Sequence, residues 1–165
     1  MSERKRYKLV GAMFLLLFIV ILGGCSEESS TDESKDLIVA TTGEANSLDP
    51  HNTTDTVSKN IYSIVAETLV MLDKDGEVAP LLAKSWESSD DGKTWTFQLQ
   101  EGVEFHDGTP FNAEAVKISF ERVTDENKKL ARFPLLGNYL DHITTNGDHE
   151  VIFHLKSSVG PFLNI

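Results

Sequence analysis

Leu81 to Val123 reads LLAKSWESSDDGKTWTFQLQEGVEFHDGTPFNAEAVKISFERV. Its middle, Thr94 to Gln100, alternates strictly: Trp95, Phe97 and Leu99 on one side, Thr94, Thr96, Gln98 and Gln100 on the other. That period of two belongs to a half-buried antiparallel strand. Asp91-Gly92 just before it is a tight-turn signal, because glycine accepts positive φ without steric penalty. Leu81 to Trp86 is apolar on one side, which sets Trp86 under the same hairpin. Glu101-Gly102 ends the strand, Val103 to Phe105 resumes it briefly, and His106 to Pro110 forms a second turn. Asn112 then opens a helix. Ala113, Val116, Phe120 and Val123 make one apolar stripe, while Glu114, Lys117 and Glu121 stay outside. Asn112 can accept a hydrogen bond from a first-turn amide, and Glu114 favours the positive helix end.

The flanks extend this pattern. Val151 to Leu155 alternates again, and Ser157 to Leu163 reads as the start of a further helix. Asp125 to Arg132 is charged and reads as loop or helix end. Upstream, Leu37 to Thr41 is a short β-rich run expected to be a buried strand. Thr42 to Asn52 is turn chemistry around Asp49-Pro50. Val57, Ile61, Ile64, Val65, Thr68, Leu69 and Leu72 recur at helical spacing, with Thr54 or Asp55 as N-cap and Lys74-Asp75-Gly76 as the closing turn.

The first 36 residues are of another kind. Arg4, Lys5, Arg6 and Lys8 precede Leu9 to Leu22, an uncharged run of fourteen residues. As a helix it would reach about 21 Å, short of the roughly 30 Å hydrocarbon core. A basic start, a short apolar run and small residues read as an export signal over residues 1–24. Leu22-Gly23-Gly24-Cys25 resembles the bacterial lipobox, in which the cysteine is lipidated and becomes the new N-terminus. The two acyl chains of a diacylglyceryl group are about what stable anchoring requires. The alternative is an uncleaved anchor with an incidental cysteine. Residues 25–36 continue as a polar, acidic stretch that cannot bury surface to offset its ordering entropy, and are expected to be a disordered tether.

The net charge is −11 over 165 residues; residues 1–24 carry +3, leaving −14 on the remainder. An acidic body of that kind repels phosphate backbones, so nucleic acid is not an expected partner. The single cysteine rules out an intrachain disulfide framework and a Cys-rich zinc module.

Several motifs in one order carry a resemblance. Leu82-Ala83 with Ser85-Trp86, Asp90-Asp91-Gly92, Trp95-Thr96-Phe97, Phe105 to Phe111, Ala113-Glu114 with Val116, and Glu121-Arg122 resemble the hallmark region of the family 5 extracellular solute-binding proteins of ABC importers. Ser47-Leu48-Asp49-Pro50 and Pro161-Phe162-Leu163 fit the same family. The similarity spans roughly residues 37–165. It implies an α/β chain: the N-terminal part of a two-lobed type II periplasmic-binding-protein fold. Residues 37 to about 66 would give the first strand and helix of the core lobe, and the rest most of an extra α+β subdomain. Relatives run to several hundred residues, which implies a truncated chain that would not retain ligand alone. Ala115 departs from the acid that relatives usually carry there.

The resemblance further implies capture of oligopeptides or dipeptides outside the membrane, with ABC permease and ATPase subunits as partners and no resident cofactor. Nickel or a nickel chelate is the alternative ligand, and a non-functional secreted fragment the alternative state. By position in the family, Thr53, Thr54, Asp55 and Thr56 would line the ligand. Asp55 could meet a peptide amine, or could simply cap the helix behind it. Nickel-binding members place an aromatic residue and a methionine near this loop, where threonines and Ser58 stand here. His51, His106, His142, His149 and His154 lack metal-ligand spacing within one element and are expected in structural or surface roles. An enzyme would need an activated nucleophile or paired carboxylates in a cleft. Ser89 with Asp90 in a turn, and Asp107 with Glu114 across a loop, do not supply either.

Overall fold

The computed structural model describes residues 38–164. Its contacts divide the chain into two units, Met1–Val39 and Ala40–Ile165. Of the first, only Ile38 and Val39 are described, both exposed and outside regular structure. The export signal, Cys25 and the tether lie outside the described residues.

The second unit is an α/β arrangement centred on a four-stranded antiparallel sheet. In chain order its elements are α1 (Thr56–Tyr62), β1 (Val70–Leu72), β2 (Val78–Pro80), β3 (Ala83–Ser88), β4 (Thr94–Leu99) and α2 (Ala113–Thr124). A 3-10 turn at Glu126–Lys128, α3 (Phe133–Leu136), β5 (Leu140–Thr145), β6 (Glu150–Leu155) and a 3-10 turn at Phe162–Asn164 complete it. The sheet runs β3-β4-β6-β5, and β1-β2 is a separate hairpin.

The alternation read in Thr94–Leu99 and Val151–Leu155 is what builds the core. Phe97 and Leu99 on β4 and Val151, Phe153 and Leu155 on β6 are buried on one face, with Trp95 opposite Phe153 and Phe97 opposite Val151. The amphipathic helix α2 lies over that face. Its Ala113, Val116 and Val123 are buried, and the Phe120 ring meets Phe153 edge-on at 4.9 Å. Trp86 packs on Phe97 as the hairpin reading requires. The expected caps are present: the Asn112 side chain accepts from Ala115 N at 2.9 Å, satisfying a first-turn amide. The turn before β4 is closed by Gly92 N donating to Ser89 O, 2.8 Å. Gly92 has φ +66, and a Cβ there would lie 2.6 Å from Ser158 Oγ.

Three expectations fail for physical reasons. Residues 38–41 form no strand; an extended segment needs a ladder neighbour, and among the described residues none pairs with it. The helix expected from Val57 to Leu72 stops at Tyr62, and Val70–Leu72 instead pairs with Val78–Pro80. The apolar residues at 69, 70 and 72 suit either period, and the hairpin turn at 73–77 decides between them. Val103–Phe105 does not resume a strand but makes one bridge, Glu104 to Pro110. The segment Ser157–Leu163 contributes a 3-10 turn, with Phe162 buried against Trp95 and Phe153.

Candidate functional site

The segment carrying the candidate ligand residues is the loop from Asn46 to Thr56. Its own chemistry shapes it first. Ser47 Oγ accepts from Asp49 N, Asp49 Oδ1 from His51 N at 3.0 Å, and Asn52 N donates to Asp49 O at 3.0 Å. These are local side-chain and backbone turns of the kind Asp-Pro segments favour. The loop then closes back on α1: the hydroxyl of fully buried Ser58 accepts from Asn46 N at 3.0 Å and Ser47 N at 3.3 Å.

Asp55 is the N-cap of α1. Its Oδ1 accepts from Ser58 N at 2.9 Å and its Oδ2 from Thr53 Oγ1. The hydrogen bonds with Ser58, followed by that with Thr53, hold its carboxyl far below the usual carboxylate range. Both carboxylate oxygens thus already have partners. The four candidate residues separate into two pairs. Thr53 is buried and Asp55 half-buried, and their side chains are spent on the loop itself, whereas Thr54 and Thr56 are exposed.

Residues far along the chain fix this loop in place. Arg122, two residues after Phe120 on α2, sends a fork to the Asp49 carboxylate, Nη1 to Oδ1 at 3.1 Å and Nη2 to Oδ2. Bidentate pairs of this shape are the stronger class of charged hydrogen bond. The fork lowers the Asp49 pKa and raises that of Arg122. The same Nη1 reaches His51 Nδ1 at 2.8 Å, while His51 Nε2 lies 3.4 Å from Ser119 Oγ. From the other side Arg132 donates through Nε to Pro50 O at 2.9 Å and through Nη2 to Tyr62 Oη at 3.0 Å. Backbone N–H groups of Arg132 and Ala131 add bonds to His51 O and Asn52 Oδ1. Sequence reasoning placed Arg122 in a motif without a role and passed over Arg132, Tyr62 and Ser119. Asp49 and Arg122 are 73 positions apart, and no local pattern links them.

The residues weighed for catalysis have structural partners. Ser89 Oγ donates to Asp91 Oδ1 at 2.6 Å and accepts from Thr94 N. Asp107 Oδ1 accepts from the N–H and hydroxyl of Thr109, which lower its pKa. Glu114 lies 3.8 Å from Lys117. His142 and His154, on adjacent strands, stack at 4.2 Å with 9° between rings. Burial, then the neighbouring His142, lowers the His154 pKa. Among the described residues no group of three or more His, Cys, Asp or Glu could hold a metal ion.

Comparison with known proteins adds the wider context. Residues 77–165 match the family model described as bacterial extracellular solute-binding proteins, family 5 Middle. The glutathione-binding protein GsiB of Escherichia coli K12 is 40% identical over 132 residues, covering 80% of this chain and 26% of that protein. The solved structure of NikA from Brucella suis in complex with Fe(III)-EDTA is similar with TM-score 0.57 and 38% identity, over 61% of this chain and 20% of that one. The oligopeptide-binding protein AppA from Bacillus subtilis, in complex with a nonapeptide, gives TM-score 0.65 and 29% identity over 69% of this chain and 22% of that one. The chain thus spans about a quarter of the length of the curated relatives it matches.

Proposed function

Since the chain belongs to the bacterial extracellular solute-binding proteins, family 5, we propose that it serves an ABC importer by capturing short peptides outside the cytoplasmic membrane. The observation that carries the peptide reading is the run of glutathione-binding relatives at 34–40% identity over 131–132 residues, glutathione being itself a tripeptide. The oligopeptide-binding neighbour supports the same class. A neighbour solved with a nickel–histidine complex, NikZ from Campylobacter jejuni, keeps a nickel chelate as the second reading.

In this proposal residues 1–24 are an export signal, Cys25 carries the lipid that tethers the protein to the outer face of the membrane, and residues 25–36 are a leash. Residues from 37 to about 66 start the core lobe and those beyond build the extra subdomain. Thr53, Thr54, Asp55 and Thr56 form part of one ligand wall, with the exposed Thr54 and Thr56 hydroxyls meeting the solute and Thr53 and Asp55 holding the loop. The permease and ATPase subunits are the partners that receive the cargo. The proposal assigns the opposing wall to the part of the relatives' length that this chain does not span.

Calorimetry on the chain extended to the length of its relatives, titrated with glutathione, trialanine and a nickel–histidine complex, tests the reading. Saturable heat with the peptides and none with the nickel complex is expected; heat with the nickel complex alone overturns the peptide assignment. In the same protein Thr54→Ala with Thr56→Ala should weaken peptide binding at unchanged melting temperature. Asp55→Ala should lower the melting temperature, and an unchanged melt with lost binding would assign Asp55 to the ligand instead of the cap.

A further inference from the structure

The contact between Arg122 and His51 has a chemical requirement. A guanidinium has only donors, so the Nδ1 that meets it must offer a lone pair. The imidazole is therefore neutral, with its proton on Nε2 facing Ser119 Oγ. A second proton on Nδ1 would remove the acceptor and set two cations 2.8 Å apart. The ionisable groups facing His51 are Arg122 from α2, Arg132 from the segment after the 3-10 turn, and Asp49 from its own loop. Asp49 would offset part of the added charge, but both of its oxygens are held by Arg122. Burial and then Arg122 lower the His51 pKa, with Asp49 opposing.

We propose that Arg122 is a positioning residue that holds the 46–56 loop on α2 through Asp49 and a neutral His51, and that protonating His51 releases the loop. The fork is the one side-chain link between the loop and α2 that is both charged and bidentate among the described residues, and it grips the loop four residues before Thr53. Arg132, itself held by Tyr62 of α1, anchors the loop through Pro50 O, so the released loop stays attached on its Pro50 side. The consequence for cargo rests on reading Thr53 to Thr56 as a ligand wall: a solute held there at neutral pH would be held less well in an acidified exterior.

The sign follows from linkage. The released loop binds the extra proton more readily than the latched one, so latching is fully present above the ordinary imidazole range near 6.5 and weakens as pH falls below it. The weakening levels off once pH is below the depressed pKa of the latched imidazole. In that window the opening constant rises by up to about tenfold per pH unit.

The test uses the full 165-residue chain in detergent, with NMR of the imidazoles and amide hydrogen-exchange protection factors. At pH 7.5 the His51 resonances should report the Nε2–H tautomer. Lowering pH from 7 to 5 should cut protection at Asn52, Ser58 and Arg132, whose amides serve the loop, while Phe97 and Phe153 keep theirs. His51→Asn, which keeps an acceptor at the Nδ1 position but cannot titrate, should retain the pH 7 protection and abolish the pH step. Arg122→Gln should lower loop protection at every pH and, by removing the cation beside Nδ1, raise the His51 pKa toward the ordinary imidazole value. A persistent pH step in His51→Asn overturns the proposal, as does full loop protection at a pH where His51 is doubly protonated. Neither result touches the ligand reading, which the calorimetry decides separately.

Discussion

Replacing Phe153 by alanine should remove the largest single contribution to the core. Phe153 is 1% exposed and meets three rings edge-on, Phe120 at 4.9 Å, Phe97 at 5.4 Å and Phe162 at 5.8 Å. Truncation loses the transfer free energy of the ring and leaves a cavity bounded by β4, α2 and the 3-10 turn at Phe162. Substitutions of this kind cost about 3–5 kcal/mol. Each edge-on aromatic pair adds roughly 0.5–1.5 kcal/mol beyond area, so the upper half of that range is expected. A domain of this size has about 5–15 kcal/mol in all, so the variant should be close to unfolding at room temperature. Urea titration of the detergent-solubilised chain reads this directly through Trp86 and Trp95, which pack on Phe97 and Phe162. The midpoint should fall steeply with little change in slope. Phe153→Leu should lie between the two. Ile118→Ala, at an exposed position of α2, should move stability by no more than about 0.5 kcal/mol. A loss below about 1 kcal/mol for Phe153→Ala, or an equal loss for Ile118→Ala, would refute the placement of the core.

Other outcomes follow from single features. Gly108→Ala should cost about 1 kcal/mol from backbone strain alone, since Gly108 has φ +81 and open space where the Cβ would sit. Gly92→Ala should cost more, because the new methyl group also meets Ser158; equal urea midpoints for the two variants would remove that contact from the account. Asn112→Ala should lose about 1 kcal/mol and Asn112→Asp should not, since either side chain can accept from Ala115 N and a carboxylate suits the helix start; thermal melts distinguish them. If Cys25 carries the lipid, the protein should take up labelled palmitate and Cys25→Ser should abolish that labelling; an unlabelled wild-type protein held in the membrane pellet would favour the uncleaved anchor.

Much of the fold was written locally. The strands at 94–99 and 150–155, the helix after Asn112 and the turns at Gly92 and Gly108 each carry their own period, cap or glycine, so a reader of the chain can place them without knowing their neighbours. β5 was not legible because its alternation is broken. The register shifts between Leu140 and His142, so Leu140 and Ile143, three apart, both reach the core at a spacing that suits a helix better than the strand they form. The extent of α1 was illegible for a related reason: residues 69–72 satisfy two patterns, and only pairing with 78–80 selects the extended one.

The candidate site divides in the same way. Asp55 as a helix cap was readable, because a cap acts on an amide three residues away. That Thr53 turns inward while Thr54 and Thr56 stay exposed was not, because burial depends on what packs against the loop. The sequence by itself determined the kinship, through motifs whose residues each solve a local problem of turn, strand or cap. Only the tertiary structure decided what holds the 46–56 loop. Asp49, His51, Arg122 and Arg132 are distant in the chain and come together only when α2 packs on the sheet and the following segment returns beside Pro50. A charge pair across 73 residues leaves no periodic trace, because its energy depends on a separation that folding alone creates.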